Sequence, residues 1–159
     1  MTARTTTPDR PDLDTILGRV LSDHWRVRAL LDEIDDVAAA MAGQRQARGA
    51  NKLPEVVWRL FVLFDDHLAL EERELTPFLV EQGIWKAGRV EDLRREHKAQ
   101  RTMLLALLGE CDAKAKSDGE LANDARWLIE SLRKDVTRED AEFESVRTRE
   151  AAVQHLHSP

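Results

Sequence analysis

Two short stretches hold the residues best suited to chemistry. In FDDHLALEERELTPFL, residues 64–79, His67 and Glu71 stand four apart, a spacing that projects both side chains from one face of a helix. In KDVTRED, residues 134–140, Asp135 and Glu139 repeat the spacing. His24 and His97 add two imidazoles, each on a line of apolar residues. Three imidazoles and three carboxylates in a dry interior would be very costly unless neutralised. A pair of divalent or trivalent cations would supply that neutralisation. Imidazole with carboxylate suits iron, manganese or zinc, and no thiolate joins the set, which weighs against a structural zinc site. Glu71 and Glu139 are long enough to bridge two ions, with His24, His67, His97 and Asp135 as terminal ligands. No nucleophile–base pair, phosphate-cradling glycine loop or dinucleotide fingerprint competes with this reading.

The elements that must position these residues follow from apolar spacing of three and four, the helical period. The first helix is expected from about Asp12 to Met41, with His24 on its seam between Val20 and Val27, ending near Gly43. Pro54 opens the second, where a missing N–H does no harm. Its seam runs Val57, Leu60, Phe64, His67, Glu71, Leu75 and Phe78, and Pro77 inside it should kink or end the helix. The third seam is Val90, Leu93, His97, Arg101, Leu104, Leu108 and Cys111. Ser117 and Glu120 have the spacing of a capping box, and the fourth seam follows: Leu121, Ala125, Leu128, Leu132, Asp135, Glu139, Phe143, Val146. Counted from the expected helix ends at about 1.5 Å per residue, the polar interruptions fall within roughly two turns of one level. Short connections between long helices favour an all-α, antiparallel up-down-up-down four-helix bundle.

Length and composition bound the rest. A chain of 159 residues is most simply one domain, divided into an N-terminal arm (1–11), a bundle (12–150) and a C-terminal tail (151–159). The formal net charge of −6, with both signs interspersed, excludes nucleic acid as the main partner, which needs a basic face. Cys111 is the only cysteine, so no internal disulfide forms, as suits a reducing compartment. The first ten residues lack the apolar core of a secretory signal, and no apolar run has the length of a membrane span. A cytoplasmic protein with no membrane partner is expected. Trp25, Trp58, Trp85 and Trp127 read as packing or helix-edge residues, Glu72 and Glu74 as a solvated face, and His155 and His157 as unrelated to the centre.

LSDHWRVRALLDEID, FDDHLALEERELTPFL and REHKAQRTMLLAL together resemble the first three helices of the hemerythrin-like (HHE cation-binding) family, over roughly residues 12–147. The resemblance implies a four-helix bundle with a non-haem di-iron centre, two iron ions held by His24, His67 and His97 as terminal ligands and Glu71 as a bridge. Two departures stand out. Oxygen-carrying members place a second histidine one turn after the third-helix ligand, where this chain has Arg101, and a fourth-helix histidine where it has Asp135. Glu139 takes the second carboxylate place, with Asp140 the adjacent candidate. Fewer imidazoles and more carboxylates favour harder, oxidised ions and weaken reversible oxygen carriage. The two Glu-x-x-His pairs of ferritin-like centres are absent from this sequence.

The expectation is therefore a dinuclear iron protein that senses or handles dioxygen, peroxide, nitric oxide or iron, with manganese or zinc as alternative metals. A carboxylate-rich di-metal oxidase is a further form of the same chemistry. The rival, from another class, is a metal-free helical interaction module. In it, Arg28 or Arg101 pairs with Glu71, Asp135 or Glu139 in a buried network of the kind that proteins tolerate without gaining stability. Arg101 could equally orient Asp135 from outside a metal site.

Overall fold

The computed structural model describes residues 11–42 and 52–156. Within them the chain forms α1 (Leu13–Ala42), α2 (Leu53–Leu70), a π-turn (Glu71–Leu75), α3 (Thr76–Glu81), α4 (Ala87–Ala113) and α5 (Asp118–Leu156). α2, the π-turn and α3 run on without leaving helical backbone angles, so they act as one rod and the molecule has four. Among the described residues there is no strand, and no helix is long and apolar enough to cross a membrane.

Side-chain pairs between neighbouring rods fix the direction of each. From α1 to the second rod, partners descend as the chain ascends: Arg19 meets Glu74, His24 meets His67, and Arg59 meets Glu33. The same descent holds between the second rod and α4, where Asp65 meets Arg101 and Glu72 meets His97, and between α4 and α5, where Arg89 meets Glu142 and Gln100 meets Asp135. α5 returns against α1 through Arg133 with Asp32, Asp140 with Arg28, and Arg147 with Asp14. Every adjacent pair is antiparallel, and the four rods close into a ring. That is the expected bundle.

Local chemistry sets the element ends. Gly83 adopts a left-handed φ of 69° after α3, which lets its N–H reach Val80 and that of Ile84 reach Leu79, satisfying carbonyls that a helix end leaves bare. The capping box forms as the spacing predicted: the Ser117 N–H donates to Glu120 at 2.8 Å and the Glu120 N–H to Ser117 Oγ at 3.4 Å. Pro77 does not end its rod. The N–H of Thr76 bonds back to the carbonyl of Glu71, five residues earlier, and this wider turn makes room for a ring that would otherwise strike the carbonyl four positions back. α5 continues past residue 150, the boundary expected for the bundle, as far as Leu156. The first ten residues, residues 43–51 and residues 157–159 lie outside the described residues, and so does the side chain of His155.

Two seams sit in a different register from the one expected. α4 buries Leu93, His97, Gln100, Leu104 and Leu107, leaving Arg101, Leu108 and Cys111 half-buried. α5 buries Val136 and leaves Asp135 half-exposed. Positions three and four after a buried residue flank the inward direction on opposite sides, so the flanking helix decides which is covered. The apolar core is split in two. One cluster includes Val27, Leu31, Leu60, Phe64, Leu104, Leu132 and Val136; the other includes Leu13, Ile16, Val20, Leu75, Leu79, Leu93 and Phe143. On each rod the sequence passes from one cluster to the other across a polar residue: His24, His67 and Glu71, His97 and Gln100, Glu139. Of the four tryptophans only Trp85 is buried; Trp25, Trp58 and Trp127 are exposed.

Removing the cap of α5 tests the local account. Ser117→Ala should cost about 1 kcal/mol in chemical denaturation, since the Glu120 N–H loses its partner while no core contact changes.

Candidate metal centre

The polar layer is dry. His24, His67 and His97 have no exposed surface, and Glu71 and Glu139 retain 1% each. Burial follows from position: each sits on its rod where the adjoining seam residues belong to the two apolar clusters. One donor atom from each of His24, His67, Glu71 and Glu139 lies within 4.8 Å of the others. The Nε2 atoms of His24 and His67 are 3.2 Å apart. Glu139 Oε2 is 3.4 Å from His24 Nε2, and Glu71 Oε1 is 3.5 Å from His67 Nε2. Glu71 turns its other oxygen to His97 Nε2 at 3.1 Å. Glu71 thus stands between the four-residue group and His97, one oxygen on each side.

The outward ring nitrogens all face carboxylates. His24 Nδ1 is 2.5 Å from Asp140 Oδ1, His97 Nδ1 is 2.8 Å from Glu72 Oε1, and His67 Nδ1 is 4.0 Å from Asp23 Oδ2. These acids share a position in the sequence. Asp23 precedes His24, Glu72 follows Glu71 and Asp140 follows Glu139. One residue along a helix is about 100° around it, so each acid leaves its own inner residue and meets the histidine of the next rod. Carboxylate–histidine pairs of this form orient metal-binding imidazoles and raise their basicity. Glu72 was expected on a solvated face. The available sequence signal was its place beside a buried ligand-type residue.

The inward atoms do not satisfy one another. With the Nδ1–H of His24 and His97 donated outward, a neutral ring presents a bare Nε2 lone pair to the interior, where the neighbours are another Nε2 and carboxylate oxygens. Glu71 Oε1 and Glu139 Oε1 are buried without a hydrogen-bond partner. Either protons or a cation must fill the gap. The proton affinities of the layer are shifted to match. Burial opposes charge on His24, but Glu139 and Asp140 outweigh it and raise its pKa; Glu71 and Glu72 likewise overcome burial and raise that of His97. Burial, with the two other imidazoles, drives His67 down to about 3. Burial and then Glu139 push Glu71 upward, against the pull of His97. Three imidazole nitrogens and two carboxylates converging as acceptors are a fitting donor set for a cation of intermediate hardness.

The remaining candidates fall outside that convergence. Asp135 is not in the four-residue group: its Oδ2 accepts from Gln100 at 3.0 Å and its Oδ1 lies 3.4 Å from Arg138. Val136 holds the inward position, so Asp135 faces the α4–α5 seam. Asp140 is turned away from the centre, between His24 and Arg28 at 2.5 Å from each. Glu74 pairs with Arg19 at the surface. Arg101 does not neutralise or orient Asp135. It donates to Asp65 at 2.6 Å and to Glu72 at 2.9 Å, because its flank of α4 faces α2. Among the described residues no guanidinium makes an ion pair with Glu71 or Glu139.

The direction of the imidazole shifts gives a signed expectation. His24 and His97 hold protons more tightly folded than at their ordinary value of 6.5, so their contribution is complete below that pH and is lost as pH climbs through the raised values. The chelated protein should therefore lose thermal stability as pH rises above 6.5. A bound cation requires deprotonated rings, so metal should reverse the slope. Melting midpoints across this range, with chelator and with metal, check both signs.

The family comparison agrees with this geometry. A model of the hemerythrin HHE cation-binding domain matches residues 15–145, from the start of α1 to Ser145 in α5. No curated protein and no solved structure matches the chain. With four antiparallel rods and a buried His/Glu group at their shared level, the chain belongs to the hemerythrin HHE cation-binding family.

Proposed function

We propose that the protein binds a dinuclear non-haem iron centre in the polar layer and uses it to sense or handle a small oxidant (dioxygen, peroxide or nitric oxide) or iron itself. One observation carries the reading: His24 and His97 turn their Nδ1 atoms outward to Asp140 and Glu72, while inward the ring Nε2 atoms and the carboxylates face one another and leave Glu71 Oε1 and Glu139 Oε1 without a hydrogen-bond partner. His24, His67, Glu71 and Glu139 would hold one ion. The second oxygen of Glu71 and His97 Nε2 would begin the site of another. Bound iron supplies Lewis acidity and one-electron redox chemistry. The chain's part is to fix the imidazoles, exclude water between two apolar clusters, and keep the acids paired.

The metal-free module is less well supported. Its buried arginine–carboxylate network is replaced by outer pairs, Arg28 with Asp140 and Arg101 with Asp65 and Glu72, which among the described residues leave Glu71 and Glu139 without a guanidinium partner. Location in the cytoplasm and the identity of the oxidant belong to the same proposal.

Protein purified from iron-replete cells should carry about two irons per chain, by the count of donor groups that a dinuclear site needs. The double variant His67→Ala, Glu71→Ala should carry none. Equal metal content in the two proteins, or none in the parent, would refute the proposal. Asp140→Asn removes the anionic partner of His24 without touching an inward atom, and should weaken metal binding roughly 10- to 100-fold, read by competition with a chelator of known affinity.

A further inference from the structure

The four-residue group would use two imidazoles and both inner carboxylates for one ion. What remains on the other side of Glu71 is sparse: its Oε2 and His97 Nε2, 3.1 Å apart. Two donors make a poor site for iron or manganese, which take oxygen and nitrogen ligands in larger number. A third donor must come from a polar group on the same side.

Gln100 is the buried polar residue that follows His97 on the inward face of α4. It is three residues after His97, about 4.5 Å along the axis at 1.5 Å per residue, and is only 1% exposed. Its Nε2 donates to Asp135 Oδ2 at 3.0 Å. An ionised carboxylate accepts but cannot donate, so this contact fixes which end of the amide is nitrogen and turns Oε1 away from Asp135. Oε1 is buried and has no hydrogen-bond partner. Arg138, 3.4 Å from the other oxygen of Asp135, anchors the acid at the seam. A bare amide oxygen in a dry core is costly, yet here a neighbouring residue holds it in place.

We propose that Gln100 supplies an oxygen ligand to a second cation on the His97 side of Glu71, with Asp135 as its positioning residue, so that the centre binds two ions with unequal affinity. This rests on the dinuclear reading above. The first ion meets two imidazoles and two carboxylates. The second meets one imidazole, a shared carboxylate and a neutral amide oxygen, so it has less ligand charge, and ligand charge sets affinity at such sites. The second ion is the exchangeable one.

The test is titration of the chelator-stripped full chain with manganese(II), counting free ions by electron paramagnetic resonance. The parent should bind in two resolved steps. Gln100→Leu should keep the first and weaken the second at least about tenfold, in line with lost ligand support. Gln100→Glu, which restores an oxygen donor, should keep both. Asp135→Ala leaves the apolar core untouched and guards against a Leu variant that fails to fold; it should weaken the second step alone. Two unaltered steps in Gln100→Leu, or two equal steps in the parent, would overturn the proposal while leaving the metal centre standing. No binding by the parent with either manganese(II) or iron(II) would overturn the centre itself.

Discussion

The direction in which each imidazole donates its proton governs this molecule. His24 and His97 set their Nδ1 atoms against acids at the edge of the core, and because an ionised carboxylate only accepts, each ring when neutral turns an Nε2 lone pair to the interior. There they meet carboxylate oxygens and the ring of His67. Lone pairs facing each other in a water-free layer repel, and the low polarity of the two flanking clusters magnifies the repulsion. The raised proton affinity of His24 and His97 is one way to relieve it, and a cation in place of those protons would be the other. Any metal bound there would be coupled to folding through the same few atoms.

The outer acids make that commitment possible, and their arrangement follows from helix geometry. A residue next to an inward side chain points about 100° away, into the groove shared with an adjacent rod. Glu72 and Asp140 use this offset to hydrogen-bond a histidine on a neighbouring rod, and Asp23 stands 4.0 Å from His67 Nδ1, which has no hydrogen-bond partner. The seam between α4 and α5 breaks the pattern. α5 carries no histidine among residues 118–154, and Glu96, beside His97, pairs instead with Arg138, beside Glu139, at 3.2 Å. The layer is consequently lopsided, rich in imidazole towards α1 and α2 and richer in amide and carboxylate oxygen towards α4 and α5.

The π-turn belongs to the same account. Glu71 starts it, and Glu71 is the carboxylate whose two oxygens face different imidazoles. Widening the helix at this residue accommodates Pro77 without ending the rod, so the seam continues through Leu75 to Leu79. A local insertion that would cost stability in a plain helix occurs next to the functional group, as such insertions often do.

Much of this was legible in the chain itself. Apolar spacing marked four helices, short connections implied their antiparallel order, and counting from the expected ends put His24, His67, His97 and Asp135 within roughly two turns of one level, because burying one face of a helix leaves few choices for what lies on it. Spacing could not choose between Gln100 and Arg101, or between Asp135 and Val136. Such neighbours straddle the inward direction, and only the packed rods decide which side is covered. Here α5 covers the Gln100 flank of α4 and α2 meets the Arg101 flank. The roles of Glu72 and Asp140 were hidden for a related reason: their partners lie 25 and 116 residues away along the chain, a relation that exists only once the four rods stand side by side.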